Sequence, residues 1–170
     1  MWAIIQADLT RHQLQIQELF WEYLSWANDR NEQEFGFRLD IRAMLDDTMA
    51  QLDKYVPPQG RILLAQDGSS IVGCTCLRSL NDHMGEVKRL YVRPTHRGQG
   101  IGRTLITELI EIARQAGFQT LRLDSSRYMT DAHLLYHAAG FRDIDPYPES
   151  EIPTEFHPWW FFMEMPLIPR

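Results

Sequence analysis

The spacing of apolar residues over the first sixty positions predicts one strand followed by two helices. Residues 2 to 7 form a short apolar run that is typical of a β-strand. Between Leu14 and Ala27 the apolar residues recur every three or four positions, which places them on one face of a helix. Polar residues 28 to 34 interrupt this pattern and predict a loop. A second amphipathic helix is expected to begin near Asp40 and to end at residues 57 to 60, Pro-Pro-Gln-Gly.

The stretch that follows has the pattern of three consecutive antiparallel strands. Residues 61 to 66 and 71 to 80 are rich in apolar and β-branched residues, and they flank the turn sequence Asp67-Gly68. Residues 81 to 85 form a second polar turn. This turn leads into a strand at residues 86 to 92, so each strand is expected to pair with the one before it.

A strand, a glycine-rich turn and a helix follow one another in the centre of the chain. Pro94 ends the strand at residues 86 to 92, because proline has no N–H to donate to a strand ladder. From Ile101 onward the apolar positions share one helix face, and Gly117 suits the end of that helix. Residues 120 to 124 return as a strand. This crossover predicts parallel pairing with the strand before the turn.

The last forty residues predict a short helix, a long connection and a final strand. Residues 130 to 140 have the helical pattern, and residues 160 to 167 alternate as a strand does. Residues 143 to 160 between them contain four prolines and are long for an ordinary connection. The whole chain, residues 1 to 170, is therefore interpreted as a single domain of the α/β (α+β) class, with helices on both faces of a mixed sheet.

Composition and charge indicate what kind of domain the chain forms and which binding partners are not expected. With 170 residues, 44% hydrophobic and 24% charged, the chain is that of a globular domain with a sizeable core. A formal net charge of −6 argues against a nucleic-acid partner, which would require a basic face. No basic apolar leader and no membrane-spanning run are apparent, so no membrane partner and a cytoplasmic location are expected. Cys74 and Cys76 lie two apart in a β-like run and are interpreted as small core residues.

The turn that opens the central helix has the chemistry of a phosphate site. Gly98, Gly100 and Gly102 stand at alternate positions around the helix start. The first N–H groups of a helix lack partners and carry partial positive charge, and glycines let an anion approach them closely. Arg97 adds a cation that pairs well with phosphate oxygens. The spacing fits neither the P-loop nor the G-x-G-x-x-G fingerprint, although Asp124 in the next strand keeps a nucleotide-binding interpretation open.

Two sequence blocks together resemble the GNAT acetyltransferase superfamily. Arg97-x-x-Gly100-x-Gly102 is similar to the family's Gln/Arg-x-x-Gly-x-Gly/Ala signature. Residues 129 to 141 are similar to its Asn-x-x-Ala-x-x-Leu-Tyr-x-x-x-Gly-Phe block, at the expected distance downstream. The resemblance implies a GNAT fold, with a mixed, mostly antiparallel central sheet and a splayed strand pair that binds acetyl-coenzyme A. It also implies an N-acetyltransferase that transfers acetyl to a primary amine by direct attack in a ternary complex.

The resemblance further implies how acetyl-coenzyme A would be bound. Backbone N–H groups of the glycine turn would hold the pyrophosphate, and a bulge in the preceding strand would offer backbone groups to the pantetheine arm. Met129 stands where the family often has an asparagine that reaches the cofactor, and Ser125 or Ser126 is the candidate substitute. The residues expected to bind the cofactor are Leu90, Tyr91, Val92, Arg97, Gly98, Gln99, Gly100, Ile101, Gly102, Arg103 and Ser126.

Two residues are candidates for the proton transfers that acetylation of an amine requires. Glu86 lies where some family members carry a catalytic glutamate, which would act as base directly or through a water. Its structural alternative is a strand carboxylate paired with Lys88 on the same face. Tyr136 lies where the family places a tyrosine near the cofactor sulfur, and its hydroxyl is neutral and able to donate at pH 7. Its alternative is a packed tyrosine on an amphipathic helix.

Other features allow more than one interpretation. His133 and His137 are one helical turn apart with no third ligand by spacing, so no metal site is predicted. The acceptor is expected to be a small-molecule or peptide amine, bound near residues 32 to 37 and the proline-rich connection, by a monomer or homodimer. The alternative function is a non-catalytic acyl-coenzyme A sensor of the same fold. Four aromatic residues would wall the acceptor pocket, form a dimer contact or anchor the last strand: Tyr147, Phe156, Trp159 and Trp160.

Overall fold

A computed structural model describes residues 1–167, and positions 168–170 of the predicted domain lie outside the described residues. The helices and strands are β1 Trp2–Gln6, α1 Leu9–Phe35, α2 Ile41–Ala50, β2 Gly60–Asp67, β3 Ser70–Asn81, β4 Met84–Val92, α3 Ile101–Gln115, β5 Thr120–Ser126, α4 Thr130–Ala139, β6 Arg142–Ile144 and β7 Trp160–Pro166. Short 3₁₀ turns lie at Leu52–Tyr55, Pro94–His96 and Thr154–Trp159.

The strands form one sheet in the order β1-β2-β3-β4-β5-β7-β6. Every neighbouring pair is antiparallel except β4 and β5, which run parallel on either side of the α3 crossover. The predicted mixed, mostly antiparallel sheet is therefore confirmed. The sequence analysis missed β6, because a strand of three residues has no room for a recognisable alternation.

Helices cover both faces of the sheet, as predicted. Successive strand residues point to opposite faces, so Ile62 and Leu64 of β2 pack with α1 and α2, whereas Leu63 and Ala65 pack with α3. The central strands are consequently buried on both sides. Within residues 1–167, no helix combines the length and the apolar composition that crossing a bilayer requires.

The loop predicted at residues 28 to 34 is wrong, because α1 continues to Phe35 and ends at Gly36 in the left-handed region, φ 76°. The polar residues of this segment were interpreted as a loop, but Asn28 and Asn31 lie buried on the inward face of the helix. The Asn28 amide donates to the Leu39 carbonyl at 3.0 Å and accepts from the Leu39 N–H at 2.7 Å. These two bonds tie the end of α1 to the segment that leads into α2.

The parallel strands β4 and β5 pair over only three positions and then separate. The pairing runs from Met84 opposite Thr120 to Glu86 opposite Arg122. Beyond these residues, the carboxyl-terminal halves of the two strands have no backbone pairing with each other. The predicted splayed strand pair is therefore confirmed.

A bulge in β4 accompanies the separation. On the β3 side, Cys74 lies opposite Tyr91 and Cys76 lies opposite Lys88, so β4 has one residue more than β3 across this interval. Arg89 occupies the bulge with φ 58°, a left-handed conformation that is uncommon outside glycine. A bulge of this kind bends its strand and increases the local twist. It directs the end of β4 away from β5.

Candidate active site

Two spaces meet where β4 and β5 separate. The first, the glycine-loop groove, has a volume of about 1110 Å³ and runs past the end of β4, the start of α3 and one side of α4. The second, the inner cavity, has a volume of about 570 Å³ and lies between α1, α2 and the splayed strands. The two spaces adjoin and have five wall residues in common, which are Tyr23, Leu90, Tyr128, Met129 and Ala132.

The start of α3 presents free backbone donors to the glycine-loop groove. Gly98 and Gly100 have φ values of 74° and 82°, which glycine adopts at little cost. Gly100 is the N-cap, no side chain caps the helix, and its first turn has no acidic residue. The first N–H groups of α3 therefore remain available to an anion, with the helix dipole in their favour.

Most of the residues predicted to bind a cofactor line this groove. Gln99 is not among the lining residues, and Ser126 lines the inner cavity instead. The other predicted residues line the groove: Leu90, Tyr91, Val92, Arg97, Gly98, Gly100, Ile101, Gly102 and Arg103. Their role in binding stays a prediction, and their common location is what such a role requires.

Arg97 is held at the rim of the groove by one hydrogen bond and two aromatic contacts. Its Nε donates to the Val92 carbonyl at 2.9 Å. Its guanidinium carbon lies 5.5 Å from the ring centre of Trp26 and 5.8 Å from that of Tyr91, which are cation–π distances. These contacts orient the cation next to the open helix start.

Tyr136 projects from α4 into the wall of the inner cavity and is 6% exposed. Burial, together with the nearby Tyr23 and Asp124, raises the pKa of Tyr136 above its ordinary value of about 10. The hydroxyl is therefore protonated at neutral pH and can act as a hydrogen-bond donor or an acid. Its predicted catalytic role stays a prediction.

Glu86 is completely buried, and both of its carboxylate oxygens have partners. One oxygen accepts from Arg78 Nε at 2.6 Å, and the other accepts from the Tyr147 hydroxyl at 2.8 Å. Lys88 Nζ lies 3.7 Å away, so the alternative pairing is present but is the longest of these contacts. Glu86 is not among the residues that line the inner cavity. Its role as base stays a prediction.

The ion pairs continue from Glu86 into the proline-rich connection. Lys88 Nζ lies 3.0 Å from Glu151 and 3.9 Å from Asp124. Arg78 also contacts Glu151, at 2.5 Å, and the Ser150 hydroxyl donates to Asp124 at 3.1 Å. The connection is thereby fastened across the gap between β4 and β5. Asp124, considered from sequence only as a nucleotide contact, lines the inner cavity.

The Glu151 pairs predict a loss of stability in acid. Burial alone would raise the pKa of Glu151, but Lys88 and Arg78 outweigh burial and lower this pKa to about 2. Because the folded pKa lies below the ordinary 4.5, the stabilisation is complete above about pH 4.5 and is lost as the pH falls towards 2. Glu151→Gln should therefore destabilise the protein at pH 7 and much less at pH 3, in urea unfolding. The matched control Glu155→Gln, an exposed carboxylate in the adjacent 3₁₀ turn, should show no such difference.

The two serines proposed to replace the missing asparagine differ in their partners. The Ser125 hydroxyl lies 3.0 Å from His133 Nε2 and 3.6 Å from the sulfur of Met129. The Ser126 hydroxyl is buried and has no partner in residues 1–167. His137 contacts Asp143 rather than His133. The described part of the chain contains no group of three His, Cys, Asp or Glu side chains arranged to hold a metal.

The aromatic residues of the proline-rich connection anchor the start of β7. Tyr147, Trp160 and Phe162 form a buried cluster, against which Phe156 and Trp159 pack. Trp160 also lines the inner cavity. Of the three roles considered from sequence, the anchor is therefore observed for the group as a whole. A cavity wall is observed for Trp160.

Comparison with known proteins identifies the family to which the fold and the site belong. Residues 14–141 match the acetyltransferase (GNAT) family, so the chain belongs to this family. This match covers the bulged strand, the glycine turn and the block that contains Tyr136. The resemblance drawn from the two sequence blocks is therefore confirmed.

Individual relatives extend this finding. The chain is 34% identical to an uncharacterized N-acetyltransferase of Schizosaccharomyces pombe, over 72% of this chain and 76% of that protein. It is 35% identical to an IAA acetyltransferase of Azospirillum brasilense, over 70% of this chain and 76% of that protein. The crystal structure of the PaiA N-acetyltransferase of Thermoplasma acidophilum in complex with coenzyme A has a TM-score of 0.72 and 18% identity, and covers 98% of this chain and 99% of its own. This last likeness shows the shared fold.

Proposed function

We propose that the protein is a cytoplasmic N-acetyltransferase that transfers the acetyl group of acetyl-coenzyme A to a primary amine by direct attack in a ternary complex. The observation that carries this proposal is the meeting of the two spaces where β4 and β5 separate. A donor in the glycine-loop groove and an amine in the inner cavity would meet there. Reactants held in contact in this way gain a large entropic advantage over free encounter.

The glycine-loop groove suits coenzyme A in its chemistry. The free N–H groups of α3 and the guanidinium of Arg97 match a pyrophosphate. The unpaired edge of β4 beyond the bulge offers backbone groups to the amides of a pantetheine arm. The coenzyme A complex of the PaiA relative, which shares the fold, supports the same assignment. The bound thioester would supply the activated acetyl group.

The reaction would form a C–N bond and break the C–S bond of the thioester. The amine must first be neutral, because an alkylammonium with a pKa of about 10 has no lone pair. A base therefore has to take one proton from the ammonium before attack, and the leaving thiolate has to receive one. After the C–N bond forms, the nitrogen loses a second proton, which replaces the one donated to the thiolate. We assign the protonation of the thiolate to Tyr136, which lines the inner cavity and whose hydroxyl is protonated at neutral pH.

Two carboxylates are candidates for the base. Glu86 is the candidate from the sequence, and its proton acceptance would pass through the partners that surround it. Asp124 is the candidate that the cavity adds, since it lines the space in which the amine would lie. Lys88 stands between them, 3.7 Å from Glu86 and 3.9 Å from Asp124.

Direct attack is favoured over a covalent enzyme intermediate. Cys74 and Cys76 are buried in the core under α1 and α2. Burial raises the pKa of the Cys74 thiol to about 12, and the thiolate is the form that attacks a thioester. Neither cysteine lines the groove or the cavity.

The proposal is tested by following thiol release from acetyl-coenzyme A with a panel of primary amines. Release that requires an amine, with the N-acetylated product found by mass spectrometry, is the expected result. A non-catalytic sensor of the same fold would bind coenzyme A and release no thiol with any amine. A nucleotide-binding protein would be stabilised against heat by NAD or ATP rather than by coenzyme A.

Gly100→Val is expected to weaken coenzyme A binding by about 10-fold or more, the range for loss of a hydrogen bond to a charged group. A β-branched residue is strained at φ 82°, and its side chain would occupy open space beside the free N–H groups. The matched control is Gly117→Val at the other end of α3, which has φ 88°, equally open surroundings and no contact with the groove. Both variants should lose similar stability in thermal unfolding. Only Gly100→Val should raise the Kd for coenzyme A in calorimetry, and equal Kd changes would contradict this role for the turn.

A further inference from the structure

Buried polar atoms without partners are concentrated around the inner cavity. Within residues 1–167, four buried side-chain atoms lack a hydrogen-bond partner, and three of them belong to residues that line this cavity. Buried polar groups are normally hydrogen-bonded to protein or to ordered water, so this concentration marks the polar side of the cavity wall. The three atoms are Asn31 Oδ1, Arg89 Nε and Ser126 Oγ.

Arg89 is the charged member of this group and is held in a specific place. The bulge in β4 directs its side chain towards α1 and α2. There one Nη donates to the Thr48 hydroxyl at 3.0 Å, and the guanidinium carbon lies 5.9 Å from the ring centre of Phe20. No carboxylate of residues 1–167 pairs with it. By contrast, the nearby Arg78 and Lys88 both contact Glu86 and Glu151.

The carboxylates that line the cavity are engaged elsewhere or lie at its rim. Glu151 and Asp124 contact Lys88, and Asp124 also accepts from Ser150. Asp40 is exposed and accepts from the first turn of α2 at Ala43. Asp47 is exposed. The positive charge of Arg89 therefore has no neutralising contact at the wall of the inner cavity.

We infer that the acceptor amine also carries an oxyanion, a carboxylate or a phosphonate, and that Arg89 binds this group. The inference rests on the proposed N-acetyltransferase function. A guanidinium presents parallel N–H donors that match either kind of oxyanion, and its hydrogen bonds to an anion are stronger than neutral ones. Arg89 lines the inner cavity, and only one Nη of its guanidinium donates a hydrogen bond within residues 1–167. Arg89 is thus a specificity-determining residue.

The test uses pairs of amines that differ only in charge: phenylalanine with phenylalaninamide, and 1-aminoethylphosphonate with its diethyl ester. Each pair is assayed by thiol release with the wild type, Arg89→Gln, Arg89→Lys and the control Arg42→Gln. Arg42 stacks on Trp21 on the outside of the same helical layer, and it does not line the inner cavity. Comparing the ratio of kcat/KM within a pair across variants removes the intrinsic difference between the two amines.

We expect the wild type and Arg42→Gln to favour the anionic member of at least one pair. Preference within the phenylalanine pair indicates a carboxylate acceptor, and preference within the aminoethylphosphonate pair indicates a phosphonate acceptor. Arg89→Gln should reduce that ratio by about 10- to 100-fold, the range typical of a hydrogen bond to a charged group. Arg89→Lys, which keeps the charge without the planar fork, should fall between. Thermal unfolding verifies that the variants are folded.

Failure of the inference can be distinguished from failure of the proposed function. A ratio of kcat/KM that is unchanged in Arg89→Gln for both pairs would overturn the role of Arg89 and leave the acetyltransferase intact. Calorimetry with coenzyme A present provides a readout without turnover. Tighter binding of the anionic amine that is lost in Arg89→Gln supports the inference even if no thiol is released. Equal binding of both members overturns it.

Discussion

Tyr136→Phe is expected to lower kcat by about 100-fold or more, the range for loss of a general acid, and to leave the Kd for coenzyme A nearly unchanged. The substitution removes one oxygen from a 6% exposed ring, which keeps its edge contact with Phe141. The thiolate would then leave without a proton donor at the cavity wall. Thiol release at saturating amine measures kcat, and calorimetry measures the Kd.

Tyr128→Phe is the matched comparison for this prediction. Tyr128 lines both spaces, whereas Tyr136 lines only the inner cavity, and the Tyr128 hydroxyl donates to the Ala27 carbonyl at 2.8 Å. Loss of this hydroxyl should lower the melting temperature and leave kcat nearly unchanged. If Tyr136→Phe retains more than about half of the wild-type kcat, Tyr136 is a packing residue, which was the alternative considered from its sequence.

The central unit of the fold could be predicted because its signals are local. Pro94 ends a strand, glycines open a helix, and the apolar spacing after Ile101 describes one buried face, all within a few residues of one another. The end of α1 could not be predicted in the same way. There Asn28 and Asn31 continue the buried face with polar side chains, and a pattern search takes them for a loop. Their positions four and seven residues after Leu24, on the same helix face, were the available signal.

The site residues could be predicted where their signals are local and could not be predicted where they depend on tertiary contacts. Tyr136 and the glycine turn lie in motifs that keep their spacing, so their location could be expected. The partners of Glu86 could not, because Tyr147 is 61 positions away and no local pattern joins the two. Arg89 was missed for a different reason: a non-glycine residue in a left-handed bulge has no mark in the sequence. Buried charge networks form from tertiary contacts, and only the fold reveals which charges remain unpaired.

The amide variants Asp124→Asn and Glu86→Gln are expected to fail in different ways. Asp124→Asn should lower kcat by about 100-fold with a small change in melting temperature, because it removes a carboxylate from the cavity wall and keeps a polar group for Ser150. Glu86→Gln should chiefly lower stability, by about 3 kcal/mol, since it removes the fully buried negative charge that faces Arg78, whose side chain is 13% exposed. For a chain of this size such a loss corresponds to a melting temperature roughly 6–12 °C lower. Thermal unfolding and thiol release on the same samples measure both effects.

The comparison decides the base because each amide keeps the shape of the carboxylate it replaces. A base on the cavity wall loses its function when its charge is lost, whereas a carboxylate enclosed by Arg78 and Tyr147 acts on the amine only through those partners. If the Glu86→Gln protein melts like the wild type and yet loses about 100-fold in kcat, Glu86 is the base. The enclosing partners would then have to relay the proton, and Tyr147→Phe should share the loss. Without that shared loss, the network around Glu86 holds the proline-rich connection across the open strands, and Asp124 takes the proton.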